Sequence, residues 1–441
     1  MRSPNVLLVV VDSLRADAIR SDDTETPTLD SVAEESVRFD QCITQGVSTA
    51  PAMTAMLTGR YPLDYGGHWF LEANQPTFAS QFQSAGYTTA AVHSNPYVSS
   101  QRNFDRGFDH FEQDVVAFEP DKKLERLPEK FDRLVSRLHR IASKTPYTPA
   151  PTVNERILSL VEDLDDSWFL WAQYMDVHGP YLGGERTYRK KIPAELLWRK
   201  AAVTSPDEVT EQERRRLERD YYGDIEYFDR HLRELLDGLG RRGELEDTLV
   251  IVTADHGDEF HEHGLFGHGN LPYRELTHVP LFMRFPYDSD VPTVTVEELV
   301  RSVDILPTVL DHINAQLDPT MRERCEGQSL LPTTRGETVD IQYSVTEKRV
   351  RDEDALRIGF REPGWSFLYD GKNEETKLFD LDKDPNEQRD VATEHPSVLE
   401  RFESRLRVRI EHIEETSDNV ETPDVSTDAG VEERLKALGY R

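Results

Sequence analysis

Short, continuously apolar runs separated by amphipathic stretches dominate the pattern along this chain. The runs Asn5–Val11, Trp168–Tyr174 and Thr248–Thr253 lack regular polar alternation, so they predict strands that are covered on both faces. The stretches Pro27–Glu35 and Glu211–Arg241 have helical spacing and lie between such runs. Strands that alternate with helices predict an α/β fold with helices on both faces of a mostly parallel sheet.

Weaker patterns predict the remaining elements. Near residue 340 the kind and order of the predicted elements change. The main part is expected to contain a helix at Phe78–Ala85, a strand at Thr88–Val92, an amphipathic stretch at Pro120–Lys144, a Pro-rich loop at Thr145–Thr152 and a strand at Val279–Phe285. The later part is expected to contain strands within Glu353–Asp370, a helix at Ser397–Glu414, an acidic linker at Glu415–Ala429 and a short helix at Glu432–Leu438. We therefore predict a catalytic α/β domain over residues 1–340 and a smaller C-terminal α+β subdomain over residues 341–441.

Polar side chains directly follow three of the predicted strands. Asp12 follows the first, Asp176 and His178 follow the second, and Asp255 with His256 follows the third. Ligands of open α/β sheets bind beyond the carboxyl ends of the strands, so these residues predict one composite site. An adjacent carboxylate and imidazole suit a divalent cation, whereas Asp12 taken alone is better explained as a helix N-cap.

Two further segments carry groups suited to an anion or a metal. Of the 14 histidines, four (His256, His261, His263 and His268) lie in the glycine-rich stretch that begins at Asp255, which favours a metal or anion site over a solvated loop. The stretch from Ser48 to Arg60 has the pattern of a loop that enters a helix. The free N–H groups of a helix N-terminus attract anions, and a hydroxyl held there can act as a nucleophile, but this segment taken alone favours a plain Ser/Thr helix cap.

Composition and charge exclude several classes of protein. The 441 residues carry 83 acidic and 52 basic side chains, a formal net charge of −31, so nucleic acid is not expected as a partner. No apolar run reaches the roughly 18–20 residues of a membrane span, and Val6–Val11 is too short for a signal peptide, so we expect a cytoplasmic protein. Two cysteines, Cys42 and Cys325, do not make a disulfide framework.

The acidic excess further predicts adaptation to concentrated salt, as in a halophilic archaeon.

Several segments, taken in order, resemble the sulfatase branch of the alkaline phosphatase superfamily. They are PNVLLVVVDSLRAD, PTLDSVAEESVRF, TAPAMTAMLTGRYP, WFLWAQYMDVHGPY, TLVIVTADHGDEFHEHGLFGHG, SVDILPTVLD, GQSLLP and LFDLDKDPNEQRDVA. The resemblance covers nearly the whole chain. It implies a three-layer α/β/α fold with a large, mostly parallel sheet and a sulfatase-like ester hydrolase that uses one divalent cation, Mn²⁺, Ca²⁺ or Mg²⁺.

The resemblance also assigns expected roles to individual residues. It implies that Asp12, Thr49, Asp255 and His256 bind the metal and that Thr49 is the nucleophile. It implies further that His178 and His268 are catalytic residues at the anion or the leaving-group oxygen. Asn95 is a substrate-binding candidate, because it falls where the family has a Lys-x-His segment.

Three departures from the family pattern bear on the chemistry. The nucleophile position holds Thr49, which cannot become the formylglycine that sulfatases make from Cys or Ser, so no formylglycine is expected. Met53 replaces the arginine of that signature, and Ser13 replaces the second of two consecutive carboxylates. A phosphothreonine can undergo a second in-line displacement, whereas a sulfothreonine lacks the hydroxyl with which hydrated formylglycine expels sulfate. We therefore favour phosphate over sulfate esters.

The sequence leaves some alternatives open. A phosphotransferase that acts on a glycan or lipid head group would use the same intermediate, and a non-catalytic relative would bind an anion or glycan. A second metal ion is a further possibility, with ligands among Asp176, His178, His261, His263 and His268. The substrate is expected to be a small-molecule or glycan ester, but neither its identity nor the oligomeric state is encoded in these motifs.

Overall fold

A computed structural model describes residues 3–65, 70–72, 75–113, 147–164, 167–185, 188–268, 271–350 and 355–417. The strands of its first part are β1 Asn5–Val11, β2 Val37–Ile43, β3 Thr88–His93, β4 His110–Gln113, β5 Trp168–Tyr174, β6 Thr248–Ala254, β7 Glu259–Phe260, β8 Phe266–Gly267, β9 His278–Arg284 and β10 Thr295–Arg301. The helices are α1 Pro27–Glu34, α2 Thr49–Thr58, α3 Phe78–Ser84, α4 Ala150–Glu162, α5 Tyr188–Arg199, α6 Glu211–Arg241, α7 Arg274–Thr277, α8 Ile305–His312, α9 Pro319–Arg324, α10 Leu331–Thr334 and α11 Pro396–Ser417.

Eight of these strands form one sheet in the order β10-β2-β9-β6-β1-β5-β3-β4. Only β9 runs antiparallel to its neighbours β2 and β6, while the other pairs in the described sheet are parallel. Strands β1, β5 and β6 are buried along their whole length, which is the burial their apolar runs predict. The prediction of a mostly parallel α/β sheet is confirmed.

Helices cover both faces of this sheet. On one face, Phe169 of β5 stacks on Phe82 of α3, with ring centroids 4.2 Å apart. On the other face, Tyr174 of the same strand meets Phe228 of α6 edge to face at 5.1 Å. Alternate residues of a strand point to opposite faces, so odd-numbered residues of β5 face α3 and even-numbered ones face α6. The three-layer arrangement follows directly from this alternation.

A second, smaller sheet follows near the C-terminal end of the described chain. Strands β11 Ser344–Val350, β12 Ala355–Glu362, β13 Trp365–Asp370 and β14 Glu375–Asp380 form an antiparallel meander. Helix α11 covers it, with Phe402 stacked on Phe367 at 5.3 Å between ring centroids. These elements confirm an α+β subdomain, while its boundary at residue 340 stays a prediction.

Two local predictions from the sequence were wrong. Helix α4 begins at Ala150, inside the predicted Pro-rich loop, because Pro151 lies in its first turn, where proline removes no helical hydrogen bond. Helix α11 extends to Ser417, into the predicted acidic linker, and the buried side chain of Ile413 holds its last turns on the sheet. The rest of that linker, the predicted helix at 432–438 and the amphipathic stretch at 120–144 lie outside the described residues.

The described helices give no sign of a membrane-spanning segment, since none is both long enough and apolar enough to cross a bilayer.

Candidate functional site

The centre of the site is the pair of carboxylates that follow strands β1 and β6. These strands are parallel neighbours with Val11 opposite Ala254, so Asp12 and Asp255 take equivalent positions one residue beyond the strand ends. Both side chains are completely buried, at 0% exposure. The sheet register therefore brings together two acidic residues that are 243 positions apart in the sequence.

His256 completes a group of three that is suited to a metal. One ligand atom from each of Asp12, Asp255 and His256 lies within 4.8 Å of the others. The His256 Nε2 atom is 3.8 Å from Asp12 Oδ1 and 3.6 Å from Asp255 Oδ2. Its Nδ1 atom lies 3.0 Å from the carbonyl oxygen of Gly257, which fixes the ring with Nε2 towards the carboxylates.

The electrostatics of this group fit a bound cation. Burial, and then the charge of Asp12, raise the pKa of Asp255 to about 7. Two carboxylates that are both out of water and close together repel each other unless a positive charge lies between them. No lysine or arginine among the described residues forms an ion pair with either of them. Carboxylate oxygens with one imidazole nitrogen form a donor set for Mn²⁺, Mg²⁺ or Ca²⁺.

Ser13 lies at the position where many sulfatases have a second carboxylate. Here it connects the carboxylates of Asp12 and Asp255. Its backbone φ of 63° turns the chain after β1. The backbone N–H of Ser13 donates to Asp255 Oδ1 at 3.3 Å, and its hydroxyl donates to Asp12 Oδ1 at 3.1 Å. The residue thus keeps the two carboxylates in register without adding a third negative charge.

Thr49 places its hydroxyl against this group. It is the first residue of α2, it is 2% exposed, and its Oγ1 donates to Asp12 Oδ2 at 3.1 Å. The same oxygen lies 3.5 Å from His256 Nε2. The loop before α2 packs closely on the helix, since a Cβ at Gly46 would lie 2.5 Å from the backbone nitrogen of Ala52. The predicted loop-to-helix entry is confirmed, and it delivers the hydroxyl to the carboxylates.

Asn95 lies in the same site. Its Nδ2 donates to Asp12 Oδ2 at 2.8 Å and to Thr49 Oγ1 at 3.2 Å. Its Oδ1 accepts a hydrogen bond of 2.8 Å from the backbone N–H of Tyr97, which settles the orientation of the amide. Asn95, the substrate-binding candidate from the sequence, therefore touches both Asp12 and Thr49.

His178 and His268 lie side by side, and His268 also borders His256. Their ring centroids are 5.3 Å apart, and the ring of His268 is 4.3 Å from that of His256. The Nδ1 atom of His178 lies 2.6 Å from the carbonyl oxygen of Gly179, just before a cis peptide bond to Pro180. The Nδ1 atom of His178 is therefore engaged with an acceptor, which fixes the orientation of its ring.

Asp258 and Tyr181 belong to the site, although the sequence did not single them out. Asp258 is fully buried, and its Oδ1 lies 2.7 Å from Nδ1 of His268, while its Oδ2 accepts from the hydroxyl of Tyr181 at 2.5 Å. Burial, and then the nearby His256, lower the pKa of His268 to about 4. The position of Asp258 two residues after His256 was the available signal.

Gln173 was missed for a different reason. It is a polar, fully buried residue in the otherwise apolar strand β5, and its Nε2 approaches the carboxylates of both Asp12 and Asp255. An amide in a buried apolar run is the signal that could have found it.

Two of the residues considered for a second metal ion lie in metal-suited groups of the described chain, His268 with His256 and Asp258, and His263 with Glu275 and Glu387, so a second ion stays an alternative. In the described part of the chain, no metal-suited group combines two of Asp176, His178, His261, His263 and His268. His263 pairs with Glu275, at 3.1 Å between Nε2 and Oε2.

Comparisons with known proteins identify the family of this chain. The model of the family described as Sulfatase matches residues 4–315, and the model described as N-sulphoglucosamine sulphohydrolase, C-terminal, matches residues 261–416. The choline-sulfatase of Rhizobium meliloti (strain 1021) is 27% identical over 434 residues, which cover 88% of this chain and 82% of that protein. The arylsulfatase of Clostridium perfringens (strain 13 / Type A) is 24% identical over 466 residues, covering 93% and 94%.

A solved structure shares the fold. The phosphonate monoester hydrolase of Agrobacterium radiobacter superposes with a TM-score of 0.71 at 20% identity, covering 93% of this chain and 96% of that one. The Sulfatase model alone spans more than half of the 441 residues. The chain therefore belongs to the sulfatase family of ester hydrolases.

Proposed function

We propose that this protein hydrolyses phosphate esters with the hydroxyl of Thr49 as the nucleophile; sulfate esters are the alternative substrate class. The observation that carries the proposal is the position of Thr49 Oγ1, 3.1 Å from Asp12 Oδ2 at the first residue of α2. A hydroxyl buried between a carboxylate and an imidazole, at a helix N-terminus, is placed to attack an anionic ester.

The proposed cofactor is one divalent cation, Mn²⁺, Ca²⁺ or Mg²⁺. Asp12, Asp255 and His256 would hold it together with Oγ1 of Thr49. Such a cation, when bound, lowers the pKa of a hydroxyl and polarises an oxygen of the substrate. The buried carboxylate pair described above supports this choice, because it has no lysine or arginine partner among the described residues.

The chain itself orients the nucleophile. Asp12 Oδ2 accepts a hydrogen bond from Thr49 Oγ1, and Asn95 Nδ2 donates to that Oγ1 at 3.2 Å. These two contacts fix the direction from which the hydroxyl attacks. The backbone N–H groups of the first turn of α2 and the helix dipole favour the negative charge of the ester group.

The two histidines supply the remaining functions. His178 is the proposed general acid: with Nδ1 engaged by the carbonyl of Gly179, its Nε2 is the atom that passes a proton to the leaving alcohol. His268, held by Asp258, presents its Nε2 to the anionic group of the substrate. The ring of His268 borders both His178 and His256, so these contacts would converge on the ester held next to Thr49.

The nucleophile supports the preference for phosphorus. A covalent phosphothreonine is opened by a second in-line attack of water, in which the P–O bond to Thr49 breaks and that oxygen regains its proton. A sulfothreonine has no adjacent hydroxyl to expel sulfate, unlike the hydrated aldehyde of formylglycine. Hydrolysis and transfer to an acceptor alcohol share the first step, so adding an alcohol to the assay separates them.

The test uses the full chain with Mn²⁺, Mg²⁺ or Ca²⁺ and three substrates: p-nitrophenyl phosphate, bis-p-nitrophenyl phosphate and p-nitrophenyl sulfate. We expect phosphate-ester cleavage that T49S retains in part and that T49A loses by about 10³-fold or more, because T49S keeps a hydroxyl. T54S is the matched control, since the Thr54 hydroxyl only bonds the Ala50 carbonyl within α2. Cleavage of the sulfate ester alone would overturn the preference for phosphorus, and full activity of T49A would overturn the nucleophile.

A further inference from the structure

Gln173 occupies an unusual position at the base of the site. Its register neighbours on the adjacent strands are Val10 of β1 and His93 of β3. Asp12 lies two residues after Val10, so Gln173 points to the same face of the sheet as Asp12, one pleat behind it. It is 0% exposed, in a strand whose other side chains are apolar or aromatic.

The amide of Gln173 lies between the two carboxylates. Its Nε2 is 3.3 Å from Asp255 Oδ2 and 3.5 Å from Asp12 Oδ2. An NH₂ group has two donors, and here one carboxylate lies in reach of each. The contacts therefore span the two acidic residues that were assigned to the metal.

The other end of the amide is not satisfied. Within the described residues, Gln173 Oε1 is buried and makes no hydrogen bond. A buried carbonyl oxygen without a partner lowers stability, and an apolar side chain of similar shape would avoid that cost. A glutamine kept for folding alone would have both ends bonded.

Gln45 shows what such a structural glutamine looks like in this protein. It is also fully buried, and its Nε2 donates to the carbonyl of Ile43 at 2.8 Å and to the hydroxyl of Ser344 at 3.1 Å. Its Oε1 accepts from the Ser302 hydroxyl at 2.7 Å and from the backbone N–H of Val303 at 3.0 Å. Both ends of Gln45 are used, whereas only the donor end of Gln173 is.

We propose that Gln173 is a positioning residue for the metal-binding carboxylates: its two N–H groups hold Asp12 and Asp255 in the spacing that a divalent cation requires. This inference rests on the proposed function. A neutral donor suits the task, because it restrains both carboxylates without neutralising them, whereas a lysine in its place would compete with the cation. A residue that forms a hydrogen bond with a metal ligand orients that ligand and thereby raises the affinity of the site for the metal.

The test measures Mn²⁺ binding to the full chain by isothermal titration calorimetry after removal of metal with a chelator. Q173M and Q173L remove the donors, and Q45M is the matched control in another buried glutamine. We expect the Kd of Q173M and Q173L to rise about 10- to 100-fold, the range found for such partners of metal ligands. We expect Q45M to bind Mn²⁺ as the wild type does, but to unfold at a lower temperature.

The outcomes separate this inference from the proposed function. D12A should abolish Mn²⁺ binding; if it does while Q173M and Q173L keep the wild-type Kd, the role of Gln173 is wrong and the metal site stands. If the wild type binds no divalent cation, or D12A binds as well as wild type, both proposals fail. Unfolding of both Gln173 variants would also contradict the inference, because a positioning amide is not needed for folding.

Discussion

His268 and Asp258 form a buried hydrogen-bonded pair, with 2.7 Å between Nδ1 and Oδ1. Asp258 is 0% exposed, and its second oxygen accepts from Tyr181. The nearby His268, His256 and His178 lower the pKa of Asp258 and outweigh the effect of its burial, so it is a carboxylate. A carboxylate acceptor at this position holds the proton of neutral His268 on Nδ1.

Replacing this carboxylate with an amide should therefore impair catalysis more than folding. In D258N the side-chain amide can donate to Nδ1, which moves the imidazole proton to Nε2. We expect kcat for phosphate-ester cleavage to fall about 10²- to 10⁴-fold, the range for loss of an acid–base group or its correct tautomer. The measurement is steady-state kinetics together with an unfolding curve.

Y181F is the matched control for this prediction. It removes one donor to Asp258 Oδ2 but leaves the bond to His268 in place, so its loss of kcat should be smaller than that of D258N. A D258N enzyme with wild-type kcat would show that the pair has no catalytic role.

A buried ion-pair cluster joins helix α11 to the segment that follows α2, and its loss should lower stability. Arg409 lies 2.6 Å from Glu347 Oε1 and 2.6 Å from Asp64 Oδ1, and the side chain of Glu347 is 0% exposed. R409M would leave these two buried carboxylates without their arginine partner. We expect the free energy of unfolding in urea to fall by about 3–5 kcal/mol, the cost of breaking a buried pair.

An exposed pair provides the comparison. Arg389 and Glu394 are 2.6 Å apart, with side chains 69% and 49% exposed. R389M should change the free energy of unfolding by less than about 1 kcal/mol, because solvent screens such pairs. Equal effects of R409M and R389M would contradict the importance of the buried cluster.

His93 should make the protein sensitive to acid. It is buried in β3, where its ring stacks on Trp171 at 5.3 Å and meets Phe111 at 5.0 Å. Burial lowers its pKa to about 3, from about 6.5 in an unfolded chain. Because the folded pKa is depressed, the unfolded state binds the proton first, and stability is lost as pH falls from about 6.5 towards 3.

The measurement is the free energy of unfolding as a function of pH for the wild type and H93F. We expect H93F to show a shallower loss between pH 6.5 and 4, since phenylalanine keeps the ring contacts without the titrating nitrogens. H110F, at an exposed histidine, is the control substitution. An H93F profile identical to the wild type would rule out this contribution.

The net charge of −31 leads to a prediction about salt. Self-repulsion at this charge opposes the folded state, and dissolved ions screen it. We propose that the protein is adapted to concentrated salt and expect it to lose helical circular dichroism on dialysis from concentrated KCl into low-salt buffer. Full structure and stability in the low-salt buffer would contradict the adaptation.

The strand pattern predicted most of the architecture because the central strands are buried on both faces. The runs at β1, β5 and β6 contain enough consecutive apolar residues to mark strands, and the residues after them fall at one edge of the sheet by topology. The proximity of Asp12 to Asp255 followed from that rule alone. Their contact with Thr49 did not, because it depends on how α2 packs across the strand ends.

The site residues that could not be predicted from the sequence are not part of a local sequence pattern. Gln173 is one amide in an apolar strand, and its position near Asp12 depends on the register of β5 against β1. Asp258 resembles any loop carboxylate until His268 folds back onto it through the hairpin of β7 and β8. Long-range pairing of this kind is set by tertiary packing, which short spacings along the chain do not encode.

The most direct test of the central claim is a search for the covalent intermediate. The enzyme is mixed with a divalent cation and p-nitrophenyl phosphate, quenched in acid within the first turnovers, digested and analysed by mass spectrometry. Our account predicts a phosphoryl group on Thr49 in the wild type and none on that peptide in T49A. Phosphoryl transfer to another residue, or turnover by T49A at the wild-type rate, would contradict it.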